Sequence, residues 1–134
     1  MGVTDEGSAI AERLYSAFGQ GDIDTVLSLL DESVVWELIG PNEIPYFGRY
    51  EGVDQVREFF DVLARWCIVE QFEVTRITPT RGGVLAEGVE VGRFSGREQP
   101  YEMRWCHVMR LANGRIVEFT DHLDSAPMLA AWRS

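Results

Sequence analysis

The hydrophobic period changes halfway along the sequence, and this change is the strongest constraint on the fold. Up to about residue 67, apolar side chains recur every three or four residues, as on one face of a helix. After that they alternate with polar residues in four segments, residues 72–78, 84–94, 101–111 and 116–123. Short glycine-containing turns separate these segments, so neighbouring strands should pair as antiparallel hairpins.

The first half predicts helices that lie against this sheet. Apolar residues at helical spacing run from Ser8 to the glycines at 19 and 21, and Asp22 is placed to cap a short second helix. A third helix follows Gly52, and its apolar stripe reaches Cys67. Helices followed by a long meander predict an α+β fold, with the sheet curved around the helices and a cavity between the sheet and the third helix.

Three smaller segments complete this prediction. Residues 31–33 end the second helix, and the β-branched and aromatic run 34–39 is a strand. A Gly-Pro step and an Ile-Pro step make the stretch before Gly52 a loop. The chain closes with a short helix over residues 125–132, with a proline near its first turn.

Length and composition fit one domain over residues 1–134, with residues 1–7 as a loose N-terminus. The 12 basic residues, all arginine, and the 22 acidic residues give a net charge of −10, which repels nucleic acid and anionic membranes. The start of the chain lacks the basic and apolar segments of a secretion signal, so we expect a cytoplasmic protein. We expect Cys67 and Cys106 to be free thiols and no metal site to form.

His107 and Asp121 are the candidate proton-transfer pair. His107 shares one face of its strand with Trp105 and Met109, which makes it the polar group of an apolar wall. Whether Asp121 joins it depends on the turn at Asn113-Gly114. A two-residue loop sets His107 opposite Thr120 and turns Asp121 to the other face. A three-residue loop that includes residue 112 sets His107 opposite Phe119, with Asp121 diagonally beside it.

We favour the three-residue loop because it also places Val117, Phe119 and Leu123 on the apolar wall. Structural alternatives stay open for both residues: His107 as a buried imidazole without a catalytic task, and Asp121 as a solvated carboxylate paired with an arginine. If the register of the three-residue loop fails, Glu37 is the next candidate base.

Large side chains are the candidates for contact with a ligand. Trp36 lies on the first strand, Tyr46 lies on the proline-flanked loop, and Tyr15 offers a phenol from the first helix. The predicted ligand-contact set is completed by Phe60, Trp105, Met109 and Phe119. At least half of the large rings in a domain this small also belong to its core.

Several of these runs resemble one family. They are YSAFGQGD at residues 15–22, VVWE at 34–37, IPYFGRYEG at 44–52, WCHV at 105–108 and NGRIV at 113–117. Together they resemble SnoaL-like proteins, which belong to the nuclear transport factor 2-like superfamily with ketosteroid isomerases and limonene epoxide hydrolases. The resemblance covers about residues 8–126.

The resemblance implies a cone-shaped α+β fold with a deep apolar pocket, a homodimer formed through the sheet, and enzymes that need no metal or organic cofactor. Asp121 and His107 are the residues that best match the acid/base carboxylate and the histidine of the polyketide cyclases. Ketosteroid isomerase activity is not expected. The tyrosine of those isomerases falls on Leu14 here, and their base falls on Leu38 or, with one deletion, on Glu37.

The leading functional prediction is an enzyme that binds a small apolar carbonyl compound and moves a proton at the carbon next to the carbonyl. Asp121 is the predicted acid/base and His107 orients or shares the proton. A domain that binds a hydrophobic ligand or dimerises without chemistry is the alternative, and epoxide hydrolysis is a further one. Neither nucleic acid nor a membrane is an expected partner.

Overall fold

The structure is a computed structural model that describes residues 6–134, in which one curved six-stranded sheet carries four helices. The helices are α1 (Glu6–Gly19), α2 (Ile23–Ser28), α3 (Val53–Trp66) and α4 (Ala126–Trp132). The strands are β1 (Leu30–Ile39), β2 (Gly48–Glu51), β3 (Cys67–Thr80), β4 (Gly83–Phe94), β5 (Tyr101–Ala112) and β6 (Arg115–Leu123). None of the described helices is long and apolar enough to cross a membrane.

The sheet has the order β2-β1-β6-β5-β4-β3, in which β1 and β6 are parallel and the other neighbours are antiparallel. The predicted α+β fold with a mainly antiparallel sheet is therefore confirmed. Irregularities in the pairing of β3 with β4, at Val69/Gln71 and Val74/Arg76, add to the bend of this long hairpin. The inner face carries a continuous core that α1, α2 and α3 cover.

Several predicted boundaries differ from the structure. Helix α1 begins at Glu6, so residues 6 and 7 are helical rather than loose, and the rest of that predicted segment lies outside the described residues. Strand β1 begins at Leu30, so residues 31–33 belong to the strand and do not end α2. The predicted loop before Gly52 contains the short edge strand β2. A strand of four residues depends on pairing with β1, which local sequence does not reveal.

The end of α3 also differs from the prediction. The helix stops at Trp66, and Cys67 already has extended backbone as the first residue of β3. Cys67 still lies in the core because its strand partner is Phe94, which is fully buried. Both cysteines are free, with Cys67 buried and Cys106 partly exposed.

The register of the hairpin between β5 and β6 differs from both predicted alternatives. The turn has two residues, and Asn113 (φ 52°) and Gly114 (φ 74°) are both in the left-handed region, as a type I′ turn requires. Leu111 pairs with Ile116, but Arg110 pairs with Glu118, so Val117 is an extra residue in β6. The favoured three-residue loop was wrong. A tight turn and a bulge at Val117 together place His107 directly opposite Asp121.

The bulge has a simple cause in the sequence. Ile116 and Phe119 are both buried although three positions separate them, and residues an odd number apart face opposite sides of a regular strand. One extra residue between them lets both side chains reach the core, and it places Asp121, two residues after Phe119, on this inner face as well.

We predict that replacing Gly114 by alanine destabilises the protein by about 1 kcal/mol, because the left-handed backbone of this turn is costly for a residue with a Cβ. Gly19 at the end of α1 is the matched control. A Cβ at Gly19 meets nothing within 4 Å, and Gly19→Ala should leave stability unchanged or raise it. Urea unfolding measures both, and equal effects of the two substitutions would contradict this account of the turn.

Candidate functional site

A cavity opens between the inner face of the sheet and the helices, and it holds the predicted proton-transfer pair. About 620 Å³ of space in it is free of atoms, part of it open to solvent. Eight aromatic residues line it, together with leucine, valine and methionine side chains from α1, α2, α3, α4 and the sheet. The ionisable groups in its lining are Tyr15, Tyr46, Glu90, His107 and Asp121.

His107 and Asp121 are the two buried polar residues of the described core, at 6% and 8% exposure. Their strands pair them directly, and His107 Nε2 lies 3.3 Å from Asp121 Oδ2. On the other side of the ring, the Tyr15 hydroxyl lies 2.8 Å from His107 Nδ1. Helix α1 and strands β5 and β6 therefore contribute one residue each to a connected row, in which Tyr15 and His107 share a hydrogen bond and His107 and Asp121 form a close ion-pair contact.

One arrangement of protons fits Tyr15, His107 and Asp121. When the ring proton is on Nε2, the nitrogen 3.3 Å from the Asp121 carboxylate, Nδ1 is free to accept from the tyrosine hydroxyl. Burial, and secondarily the negative charge of Asp121, raise the pKa of Tyr15 far above its usual value, so the phenol keeps its proton and donates it to Nδ1. Asp121 Oδ1 is buried and has no hydrogen-bond partner in residues 6–134.

Aromatic stacking fixes the position of the imidazole. Trp105 stacks on His107 with ring centroids 4.1 Å apart, and Phe72 stacks on the other side of Trp105 at 4.9 Å. Gly88 on the neighbouring strand makes room for this arrangement, because a Cβ there would lie 2.2 Å from the Trp105 ring. The rings of Tyr15, Trp105 and Phe119 all pack against the imidazole, and such packing restricts its rotamer, as a proton-transfer geometry requires.

The predicted ligand-contact residues divide into two groups. Five of them line the cavity, namely Tyr15, Trp36, Tyr46, Phe60 and Phe119. Trp105 and Met109 do not line it; they are buried at 3% and 1% exposure in the core beside His107. Both share the face of His107, as predicted, and pack among rings that do line the cavity: Tyr15 and Phe72 contact Trp105, and Phe119 is the strand partner of Met109.

Glu37, the reserve candidate for the base, is on the opposite face of β1. Its neighbours Trp36 and Leu38 line the cavity, and Glu37 pairs with Arg49 and Thr120. Side chains alternate along a strand, so Glu37 points away from the site.

Glu90 is a second carboxyl group in the cavity lining, and sequence reasoning missed it. It lies on β4 opposite Met103, and the Tyr101 hydroxyl donates a hydrogen bond to its Oε2 at 2.5 Å. Burial raises the pKa of Glu90 to about 7; the bond from Tyr101 lowers it and the negative charge of Asp121 raises it further. Its position in the sequence could have revealed it. Glu90 is four residues before Phe94, so the two side chains point to the same inner face of β4.

In the residues described, no group of three or more histidine, cysteine or acidic side chains is arranged to hold a metal ion. No arginine is among the residues that line the cavity, and the sequence contains no lysine. The site therefore combines an apolar wall, one carboxylate in contact with an imidazole, and one carboxyl group that readily takes up a proton.

The family model for the SnoaL-like domain matches residues 11–119. The chain therefore belongs to the SnoaL-like family. A search of curated proteins gives no match.

Several solved structures have the same fold. A nuclear transport factor 2-like protein of unknown function from Burkholderia pseudomallei superposes with a TM-score of 0.88, at 22% identity over 98% of this chain and 100% of that one. TerC, co-crystallised with polyporic acid, gives 0.84 at 16% identity over 97% and 100%. An epoxide hydrolase from M. tuberculosis, of the limonene epoxide hydrolase-like kind, gives 0.74 at 22% identity over 96% and 90%. At these identities the likeness shows the fold.

Glu90 should make the stability depend on pH. The folded state holds its proton up to about pH 7, whereas an unperturbed glutamate loses it near 4.5. Its contribution to the free energy of unfolding is therefore fully present below about pH 4.5 and is lost as the pH rises through about 7. The loss is on the order of 3 kcal/mol.

Urea unfolding of wild type and Glu90→Gln across this range measures the effect. The variant should lack this loss. Glu87→Gln is the control, because Glu87 is on the same strand but opposite Cys106 on the other face. Parallel pH profiles for wild type and Glu90→Gln would show that Glu90 is not held protonated.

Proposed function

We propose that this domain binds a small, largely apolar carbonyl compound and transfers a proton at the carbon next to the carbonyl. The observation that carries the proposal is the state of Asp121 in the cavity. One of its carboxylate oxygens lies 3.3 Å from His107 Nε2, and the other has no hydrogen-bond partner among the described residues. A buried carboxylate with free lone pairs, beside an apolar binding space, suits a general base for a weakly acidic C–H group.

The lining also favours a neutral ligand with a hydrogen-bond acceptor. The Trp36 indole N–H and the Tyr46 hydroxyl are buried without hydrogen-bond partners in residues 6–134, and both residues line the cavity. A carbonyl oxygen could accept from either group, and such a bond strengthens as an enolate forms. The lining has no cation to balance a carboxylate or phosphate, so anionic ligands are disfavoured.

In this mechanism Asp121 takes the proton, and His107 and Tyr15 hold the Asp121 carboxylate in place. The imidazole N–H stabilises the carboxylate before transfer, and the phenol fixes the imidazole tautomer through Nδ1. Delivering the proton to a different carbon shifts a double bond, and attack of the enolate on a second carbonyl closes a ring. Isomerase and cyclase chemistry therefore share this first step.

Hydrogen exchange in a simple ketone tests the proposal directly. We expect wild type to accelerate deuterium uptake next to the carbonyl of 4-phenylbutan-2-one in D₂O, because its phenyl ring suits the aromatic lining. Asp121→Asn should lower that rate by about 10²–10⁴. Mass spectrometry of the recovered ketone gives the rates.

Asp124→Asn is the matched control, because Asp124 is exposed and does not line the cavity. Unchanged exchange in Asp121→Asn would remove Asp121 from the mechanism. A wild type that binds the ketone without exchange would favour the alternative of a non-catalytic binding domain. Epoxide hydrolysis would show as a diol formed from a small cyclic epoxide.

The homodimer through the sheet is also a proposal, and the outer face offers an apolar contact for a second copy. Val108 is 42% exposed at the centre of β5, and Ile68 on β3 is 39% exposed. We predict that Val108→Arg converts a dimer to a monomer in native mass spectrometry, because a buried unpaired charge opposes association. A wild-type monomer, or an unchanged dimer in the variant, would contradict this interface.

A further inference from the structure

The Asp121 mechanism leaves one group of the cavity unused. Glu90 lines the same space, and its Oε1 takes part in no hydrogen bond within residues 6–134. Its Oε2 is engaged by Tyr101 alone. A carboxyl group with one oxygen fixed and the other free is oriented to meet a ligand in its remaining direction.

A row of buried groups holds Glu90 in this orientation. The Tyr101 hydroxyl has one proton and donates it to Glu90, so the Cys67 thiol, 3.0 Å from the same hydroxyl oxygen, is the donor to Tyr101. Gly92 leaves the space for the hydroxyl, because a Cβ there would lie 2.6 Å from it. Three strands thus contribute to the positioning of one carboxyl group.

The surroundings of Glu90 favour its neutral form. The titratable groups that face it are Tyr101, Cys67, Tyr46 and Asp121, and none of these is a cation. Burial raises the pKa of Cys67 to about 11 and that of Tyr46 well above its usual value, so both stay neutral. Asp121 is the one anion in this group, and it opposes a second negative charge in the same cavity.

The cavity therefore has two carboxyl groups in different states, one arranged to accept a proton and one arranged to give a proton. Resting on the proposed function, we propose that Glu90 is a second acid of the site, which protonates a hydroxyl group on the carbon β to the ligand's carbonyl. The substrate class is then a β-hydroxy carbonyl compound with an apolar body, and the reaction is the elimination of water.

The atoms and electrons of this step balance without a cofactor. The α C–H bond breaks and its proton goes to the Asp121 carboxylate. The electron pair forms the new C=C bond as the β C–O bond breaks, and the hydroxyl leaves as water with the proton of Glu90. Asp121 is left protonated and Glu90 ionised, and exchange of one proton through solvent restores both.

Two related ketones separate this proposal from the proposed function. The first is 4-hydroxy-4-phenylbutan-2-one, whose dehydration gives the conjugated 4-phenylbut-3-en-2-one and is followed by ultraviolet absorbance. The second is 4-phenylbutan-2-one, which lacks the hydroxyl and reports deuterium exchange alone. We expect wild type to act on both.

Glu90→Gln should lower the ratio of the dehydration rate to the exchange rate at least tenfold, because the amide cannot give up a proton. Glu87→Gln is the control on the opposite face of β4 and should leave the ratio unchanged. Exchange without dehydration in wild type would overturn the role of Glu90 and leave the proposed function standing. Absence of both reactions would overturn both, and equal loss of both in Glu90→Gln would reduce Glu90 to a structural role.

The pH profile gives a readout that a structural role would not move. Dehydration by wild type should fall as the pH rises through about 7, because Glu90 loses the proton that it must donate. Tyr101→Phe removes a hydrogen bond that favours the ionised form, so the falling limb should move to higher pH. Two results would contradict the role of Glu90 as the acid. One is a fall in rate at the same pH in Tyr101→Phe as in wild type, and the other is a fall near pH 7 that persists in Glu90→Gln.

Discussion

The direct pairing of His107 with Asp121 is the contact on which the candidate site depends. It joins two central strands of the sheet, and it exists because one extra residue at Val117 shifts the register of β6. Without that shift Asp121 would face away from the cavity, and the buried imidazole would have no acidic partner. Tyr15 then completes the chain from α1, so the packing of helix on sheet and the hydrogen bonding of the site are coupled.

The electrostatics of the cavity follow from what its walls contain. Two carboxyl groups lie in an aromatic and aliphatic lining that has no arginine, although the chain carries 12 of them. Neither carboxyl group has an arginine beside it in the lining, so the contacts that each group makes with its neighbours set its state. Asp121 has an imidazole N–H, whereas Glu90 has a phenol and a raised pKa. In the proposed function Asp121 is the base, and Glu90, whose pKa burial raises to about 7, is available as the acid.

Small residues on β4 make room for the aromatic rings that position His107 and Glu90. Ala86, Gly88 and Gly92 share the inward face with Glu90, and the rings of Trp105 and Tyr101 lie across the two glycines from the neighbouring strand. One ring braces His107 and the other hydrogen bonds to Glu90. The same strand therefore positions both halves of the site, through residues that themselves have little or no side chain.

The sequence by itself determined the helices, five of the six strands and the face that His107 and its neighbours share, because these depend on local periodicity and turn residues. The resemblance to SnoaL-like proteins added the cone-shaped fold and the choice of Asp121. Tertiary structure decided what local patterns leave open. The edge strand β2 exists only by pairing with β1, and the bulge at Val117 results from burying Ile116 and Phe119 together. Glu90 reads as one of many acidic residues until β5 and the helices enclose its face of β4, since burial and not residue type gives it a proton to donate.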